Sequence, residues 1–137
     1  DNFDELSSHF FPALIRKIEN FRKGKTKMIK LWGNGKAKRE LMHVDDLAEA
    51  AVYFMKKKLK SDFINIGTGK QYSIIQYAKK ICKHLDINPK FEFDLSKPNG
   101  MKTKVLDISV AKKFGWKSNI TLKSGIERTY NYFIRNY

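Results

Sequence analysis

The segment Trp32 to Asp46, WGNGKAKRELMHVDD, limits what this chain can fold into more than any other stretch. Gly33 and Gly35 follow the apolar run Met28 to Trp32 and precede a second one, Leu41 to Val44. Two glycines at that spacing let the backbone reverse sharply or approach a ligand closely. Two readings follow. In one, the runs are the arms of a hairpin and Arg39 is solvated. In the other the segment is a ligand loop: Arg39 offers a planar fork of donors for phosphate oxygens, and Trp32 offers a flat apolar face for a base. Together these describe a nucleoside diphosphate site.

The surrounding chain alternates helical and extended patterns. Ser7 or Ser8 can cap a helix whose apolar positions Phe11, Leu14, Ile15, Ile18 and Phe21 recur at helical spacing, with Pro12 tolerated in the first turn and an end near Gly24. Asp45 is the expected cap of a second helix, striped by Leu47, Ala48, Ala51, Phe54 and Met55. Phe63 to Ile66 reads as a short buried strand, and Ser73 with Gln76 has capping-box spacing ahead of a helix to Leu85. Phe91 to Phe93 is extended, Pro98-Asn99-Gly100 is a turn, and helices are expected over about Asp107 to Phe114 and Thr121 to about Asn136. The last carries the stripe Leu122, Ile126, Tyr130 and Phe133. The pattern is α/β, without internal repeats or a low-complexity linker.

At 137 residues with 42% hydrophobic and 13% aromatic content, the chain can build one core. No apolar run is long enough to span a membrane, and a cytoplasmic setting is the default. Cys82, the only cysteine, sits among Ala78, Ile81 and Leu85 and reads as a buried thiol. The excess of 28 Lys+Arg over 14 Asp+Glu gives +14 and raises nucleic-acid binding as a competing function. The lysines are dispersed, however, as Lys56 to Lys58, Lys79 and Lys80, and Lys112 and Lys113, each group on or after an amphipathic helix. No helix-turn-helix, zinc-finger or aromatic RNA-binding signature accompanies them, so a basic nucleotide or nucleic-acid binding module is the minority reading.

Several blocks carry a resemblance, with order and spacing intact: DNF at Asp1 to Phe3, SSHFFPALIRK at Ser7 to Lys17, the Trp32 to Asp46 segment, INIGTG at Ile64 to Gly69, FDLSKPNG at Phe93 to Gly100, and FGW at Phe114 to Trp116. They resemble the nucleotide-sugar members of the extended short-chain dehydrogenases, the NAD-dependent epimerase/dehydratase family, and SSHFFPAL with SKPNG favours the GDP-L-fucose synthase branch. The family's glycine-rich dinucleotide turn does not occur. Its Tyr-x-x-x-Lys pair has only Tyr53 and Lys57 at that spacing, inside an ordinary amphipathic helix. The resemblance therefore implies the C-terminal, substrate-binding region of a longer enzyme. Residues 1–137 would form it, and about 41–70 would complete the Rossmann sheet of an N-terminal half not in this sequence.

What the resemblance implies for function is a GDP-sugar substrate and an NADP cofactor held mainly by that N-terminal half. The whole enzyme, a homodimer, would convert GDP-4-keto-6-deoxy-mannose to GDP-L-fucose by epimerisation and hydride reduction. A reductase or epimerase of another nucleotide sugar, such as a GDP-deoxyheptose, is the alternative. His9 matches the histidine that protonates the sugar carbon near the nicotinamide, a task that suits imidazole because its pKa lies close to working pH. Lys17, Arg39 and Trp32 match residues that contact the nucleotide diphosphate. Asn99 stands where similar sequences carry aspartate, which removes a charge from the base site, and Lys104 matches a basic residue near the ligand. Taken alone, His9 reads as a capping or packing residue and Lys17 as a solvated cation. His43, Asp45 and Asp46 resemble a metal or acid/base cluster; in the family they are architectural, the aspartate capping a helix, and no metal is assigned.

Overall fold

The computed structural model describes residues 2–4, 7–59 and 63–137; Asp1 of the first block lies outside them. The chain runs α1 (Phe10–Arg22), β1 (Ile29–Trp32), β2 (Lys38–Glu40), α2 (Val44–Met55), β3 (Gln71–Ser73), α3 (Ile74–His84), β4 (Phe91–Asp94), β5 (Thr103–Lys104), α4 (Ser109–Lys113) and α5 (Leu122–Asn136). The strands form two small sheets. In one, β1 pairs in parallel with β4, Ile29 opposite Phe91 and Trp32 opposite Asp94. In the other, β2 lies between an antiparallel β3 and a parallel β5, with Arg39 opposite both Tyr72 and Lys104.

This topology overturns the hairpin. β1 and β2 belong to different sheets, and the glycine turn between them crosses from one to the other. Gly33 and Gly35 both take positive φ, 61° and 68°, which L side chains rarely adopt. At Gly35 a Cβ would also meet the Phe93 ring at 2.8 Å. Crossing carries the strand Lys38–Glu40, three residues earlier than the expected Leu41 to Val44 piece. Leu41 to His43 is instead the lead-in to α2.

Helix ends follow local chemistry, with two corrections. α1 starts after His9, not at a serine cap, and no side chain caps it; it closes at Lys23 with Gly24 at φ 71°. α2 is capped by His43, whose Nδ1 accepts the Asp45 N–H at 3.2 Å, so Asp45 lies in the first turn and is not the cap. An acid there favours the positive end of the helix dipole. The Ser73–Gln76 capping box forms in both directions, at 2.8 and 3.3 Å, and Thr121 caps α5.

The main core joins α1, β1, α3 and α5 through Ile15, Ile18, Ile29, Tyr77, Ile81 and Phe133, with Cys82 buried among them. A second cluster packs Ala50 and Phe54 of α2 on Ala111 of α4 and on Trp116. The expected stripe of α2 is only partly buried: Phe54 faces inward, but Leu47, Ala48, Ala51 and Met55 are exposed, Met55 by 84%. No strand forms at Phe63 to Ile66; Ile64 and Ile66 pack loosely on the second cluster.

One charged group sits inside the main core. Glu19 is 2% exposed, accepts the Tyr130 hydroxyl at 2.5 Å, and pairs with Arg22 at 2.7 and 2.8 Å. Burial alone would push its pKa up, but the Arg22 and Tyr130 hydrogen bonds outweigh it and hold the carboxyl at about 2. The paired burial obeys the rule that a charge leaves water only with partners.

Candidate functional site

Strand alternation decides which residues of the Trp32 to Asp46 segment meet a ligand. Successive side chains on β2 point to opposite faces, so Arg39 and Glu40 cannot serve one site. Arg39 faces a cavity of about 270 Å³, where Lys17 arrives from α1, Trp32 from the end of β1, and Asn99 from the loop between β4 and β5. Four of the residues singled out in the sequence thus converge, over apolar walls that include Leu14, Leu31 and Ala37. An apolar pocket with a few converging polar groups is the usual form of a small-ligand site.

Each group is braced. Arg39 Nη1 donates to the carbonyls of Lys38 and Met101, both at 2.7 Å, which fixes the plane of its fork and leaves Nη2 and Nε for a ligand. The Arg39 carbonyl accepts the Tyr77 hydroxyl at 2.8 Å. Burial pushes the Tyr77 phenol up to about 12, so it remains a donor. Lys17 Nζ donates to the Lys30 carbonyl at 3.1 Å and lies 5.4 Å from the centre of the Trp32 ring. Trp32 is 47% exposed, an open apolar face beside two cations. Asn99 Oδ1 accepts the Asn34 N–H at 2.7 Å, which pins its turn to the glycine segment.

The other two predicted residues sit elsewhere. Ser8 and Phe10 line the cavity, whereas His9 between them is exposed at the helix start, just outside it. Lys104 lies in register with Arg39 but lines a different cavity, beside Glu40, Thr103 and Leu106. Of the His43, Asp45 and Asp46 trio, His43 caps α2, Asp46 accepts the N–H groups of Asn119 and Ile120, and Asp45 pairs with Arg128 at 3.1 Å. These are architectural tasks.

Glu40 went unremarked in the sequence. Its Oε1 accepts N–H groups from Thr68 at 2.5 Å and Gly69 at 2.6 Å, and its Oε2 accepts Leu106 N–H at 2.8 Å. A Cβ at Gly67 would collide with Oε1 at 2.5 Å, so the INIGTG loop needs a glycine there. An acid adjoining a ligand-facing arginine on a strand was the available signal.

The cavity thus joins an open indole and two cations over apolar walls. Residues 1–67 match the NAD dependent epimerase/dehydratase family. Those residues belong to that family's domain. His9, Lys17, Trp32 and Arg39 fall within the matched span, while Asn99 and Lys104 lie beyond it. Among curated relatives, the chain is 39% identical to the GDP-L-colitose synthase of Yersinia pseudotuberculosis over 98% of its own length and 44% of that protein. It is 33% identical to the GDP-L-fucose synthase of Escherichia coli K12, over 99% of itself and 45% of the relative. A crystal structure of a GDP-6-OMe-4-keto-L-xylo-heptose reductase from C. jejuni superposes with a TM-score of 0.81 at 28% identity, covering 99% of this chain and 50% of that one. The chain therefore spans less than half the length of these curated epimerase/dehydratase relatives.

Proposed function

We propose that this chain is the sugar-nucleotide-binding part of an NADP-dependent GDP-deoxysugar epimerase/reductase of the fucose synthase type. The observation that carries this is the convergence of Lys17, Trp32, Arg39 and Asn99, from four separate elements, on one cavity of about 270 Å³. The indole supplies a stacking surface, the braced Arg39 fork and the Lys17 ammonium offset the diphosphate charge, and the sugar extends past Ser8 towards His9. There the imidazole delivers a proton to the sugar carbon during epimerisation.

The residues present do not fit the cofactor's pyrophosphate. β3 runs directly into α3 through the Ser73 cap, with no glycine to admit a phosphate at the helix start. NADP would supply hydride for the ketone and be held by residues outside this sequence, so the isolated chain turns nothing over. The exposed face of α2, with Leu47, Ala51 and Met55, is the surface on which a dinucleotide-binding half would pack, together with the rest of residues 41–70. Similarity to the heptose reductase supports a GDP-heptose as the alternative sugar.

Calorimetric titration with GDP tests the binding claim. Arg39→Ala should weaken GDP by roughly 2 kcal/mol or more, and Arg39→Lys should recover only part because the fork is lost. Unchanged affinity in both variants would remove Arg39 from the site.

A further inference from the structure

Asparagine followed by glycine is chemically labile, because the glycine N–H, unshielded by a side chain, can attack the asparagine side-chain carbonyl and close a five-membered ring. The chain holds two such pairs, Asn34–Gly35 and Asn99–Gly100. They meet in space, since the Asn34 N–H donates to Asn99 Oδ1 at 2.7 Å, yet the fold treats them oppositely.

Gly35 is buried: its carbonyl accepts the Ile75 N–H at 3.1 Å, and the Phe93 ring fills the space where a side chain would stand. Asn34 Oδ1 is held by the Lys36 N–H at 3.0 Å, across the Gly35 peptide. Ring closure there requires this packed segment to open first. Asn99 and Gly100 are both exposed. Among the described residues neither the Gly100 N–H nor the Asn99 side-chain nitrogen has a hydrogen-bond partner, so the attacking atom and the leaving group are both free. Asn99 Oδ1 gathers negative charge when a nitrogen adds to Cγ, and it already sits on the Asn34 N–H, the arrangement of an oxyanion hole. Arg39 Nη2 lies 3.0 Å from where a Gly100 Cβ would stand, so a guanidinium braced by the Lys38 and Met101 carbonyls flanks the peptide N–H that must ionise. A nearby cation favours the anionic form.

We propose that Asn99 is a site of spontaneous deamidation, and that Asn99, not Asn34, is where the folded chain changes. Gly100 N gives its proton to hydroxide, bonds to Asn99 Cγ and expels the side-chain nitrogen as ammonia, leaving a succinimide. Water then opens the ring. Breaking the new bond to Cγ gives aspartate; breaking the bond from Gly100 N to the Asn99 main-chain carbonyl carbon gives isoaspartate, with the main chain rerouted through Cβ and Cγ. In both, amide and water become carboxylate and ammonium with no change of oxidation state. Asn99 lines the cavity it shares with Lys17 and Arg39, so either product puts a negative charge beside those cations. Isoaspartate also adds a main-chain carbon between the Asn34 anchor and the Met101 carbonyl that braces Arg39. The chemistry is independent of what the cavity binds.

The test is peptide mass spectrometry, with fragmentation that separates aspartate from isoaspartate. The 137-residue chain is held in mildly alkaline buffer below its melting temperature and, in parallel, in urea. In the folded chain Asn99 should convert about tenfold or more faster than Asn34, which reacts only from a locally opened form, and in urea the two should come within about twofold. Asn99 should convert no more slowly folded than in urea. Asn99→Gln, which closes a larger ring, should remove most of the ammonia that the folded chain releases, and Asn34→Gln little of it. Equal conversion of the two asparagines in the folded chain overturns the proposal. So does an Asn99 that stays intact in the folded chain over the time in which urea converts it.

Discussion

Replacing Glu40 by Gln should destabilise the fold by about 2–3 kcal/mol, although the side chain keeps its shape. The carboxylate accepts from Thr68 and Gly69 on one oxygen and from Leu106 on the other. An amide has one oxygen. Its lowest-energy placement keeps that oxygen on the two amides of the INIGTG loop and turns its NH2 towards the Leu106 N–H, donor against donor. One charge-assisted bond is lost, worth about 1.5–3 kcal/mol, and the other two fall to neutral strength. Water reaching the partly exposed Leu106 returns some of this cost. For a chain of this size the loss corresponds to a fall in melting temperature of roughly 6–10 °C. Urea unfolding followed by circular dichroism measures it, with Glu92→Gln as control: Glu92 is exposed and meets Lys30 only at 3.7 Å, so its change should stay within about 0.5 kcal/mol. A Glu40→Gln protein within about 0.5 kcal/mol of the parent would refute the claim that Glu40 clamps the INIGTG loop and Leu106 to β2.

Other outcomes follow from the same bonds. Glu19 has its folded pKa depressed from 4.5 to about 2, so its stabilisation is complete above about pH 4.5 and lost as pH falls towards 2. The parent should exceed Glu19→Gln by about 3 kcal/mol at pH 7, with the gap closing across that window in urea melts at stepped pH; a constant gap would contradict it. Tyr130→Phe, which removes the hydroxyl on Glu19, should cost roughly 1–3 kcal/mol and raise the Glu19 pKa by NMR titration. In a full-length enzyme, His9→Gln should impair epimerisation more than ketone reduction, read by solvent deuterium incorporation and product analysis. Equal losses in both steps would count against an acid at His9.

The helices were legible because their signals are local. Ser73 with Gln76, Thr121, and the stripes of α1 and α5 each lie within one or two turns of what they specify. Strand pairing was not legible, since the partner of Ile29–Trp32 is Phe91–Asp94, 62 residues away, and nothing in the glycine turn distinguishes a hairpin from a crossing between sheets. The strands Gln71–Ser73 and Thr103–Lys104 are too short to show alternation. Periodicity also misjudged α2, where Leu47 and Ala51 share the helical repeat with Phe54 but lie on a face that the described residues leave open. At the candidate site, Lys17, Trp32, Arg39 and Asn99 were singled out from residue type and resemblance, and they line one cavity. Glu40 acts through contacts with residues 28 and 66 positions away, which no local pattern records.

The central claim, that a base stacks on Trp32, has a direct optical test, because the chain has two tryptophans in opposite settings. Trp32 is open to solvent, whereas Trp116 is 3% exposed and donates its indole N–H to Glu49 at 2.7 Å. Titrating GDP while following tryptophan emission should give saturable quenching in the parent chain and none in Trp32→Phe, with melting temperatures unchanged. Quenching that survives in Trp32→Phe, or none in the parent while calorimetry records GDP binding, would contradict the account.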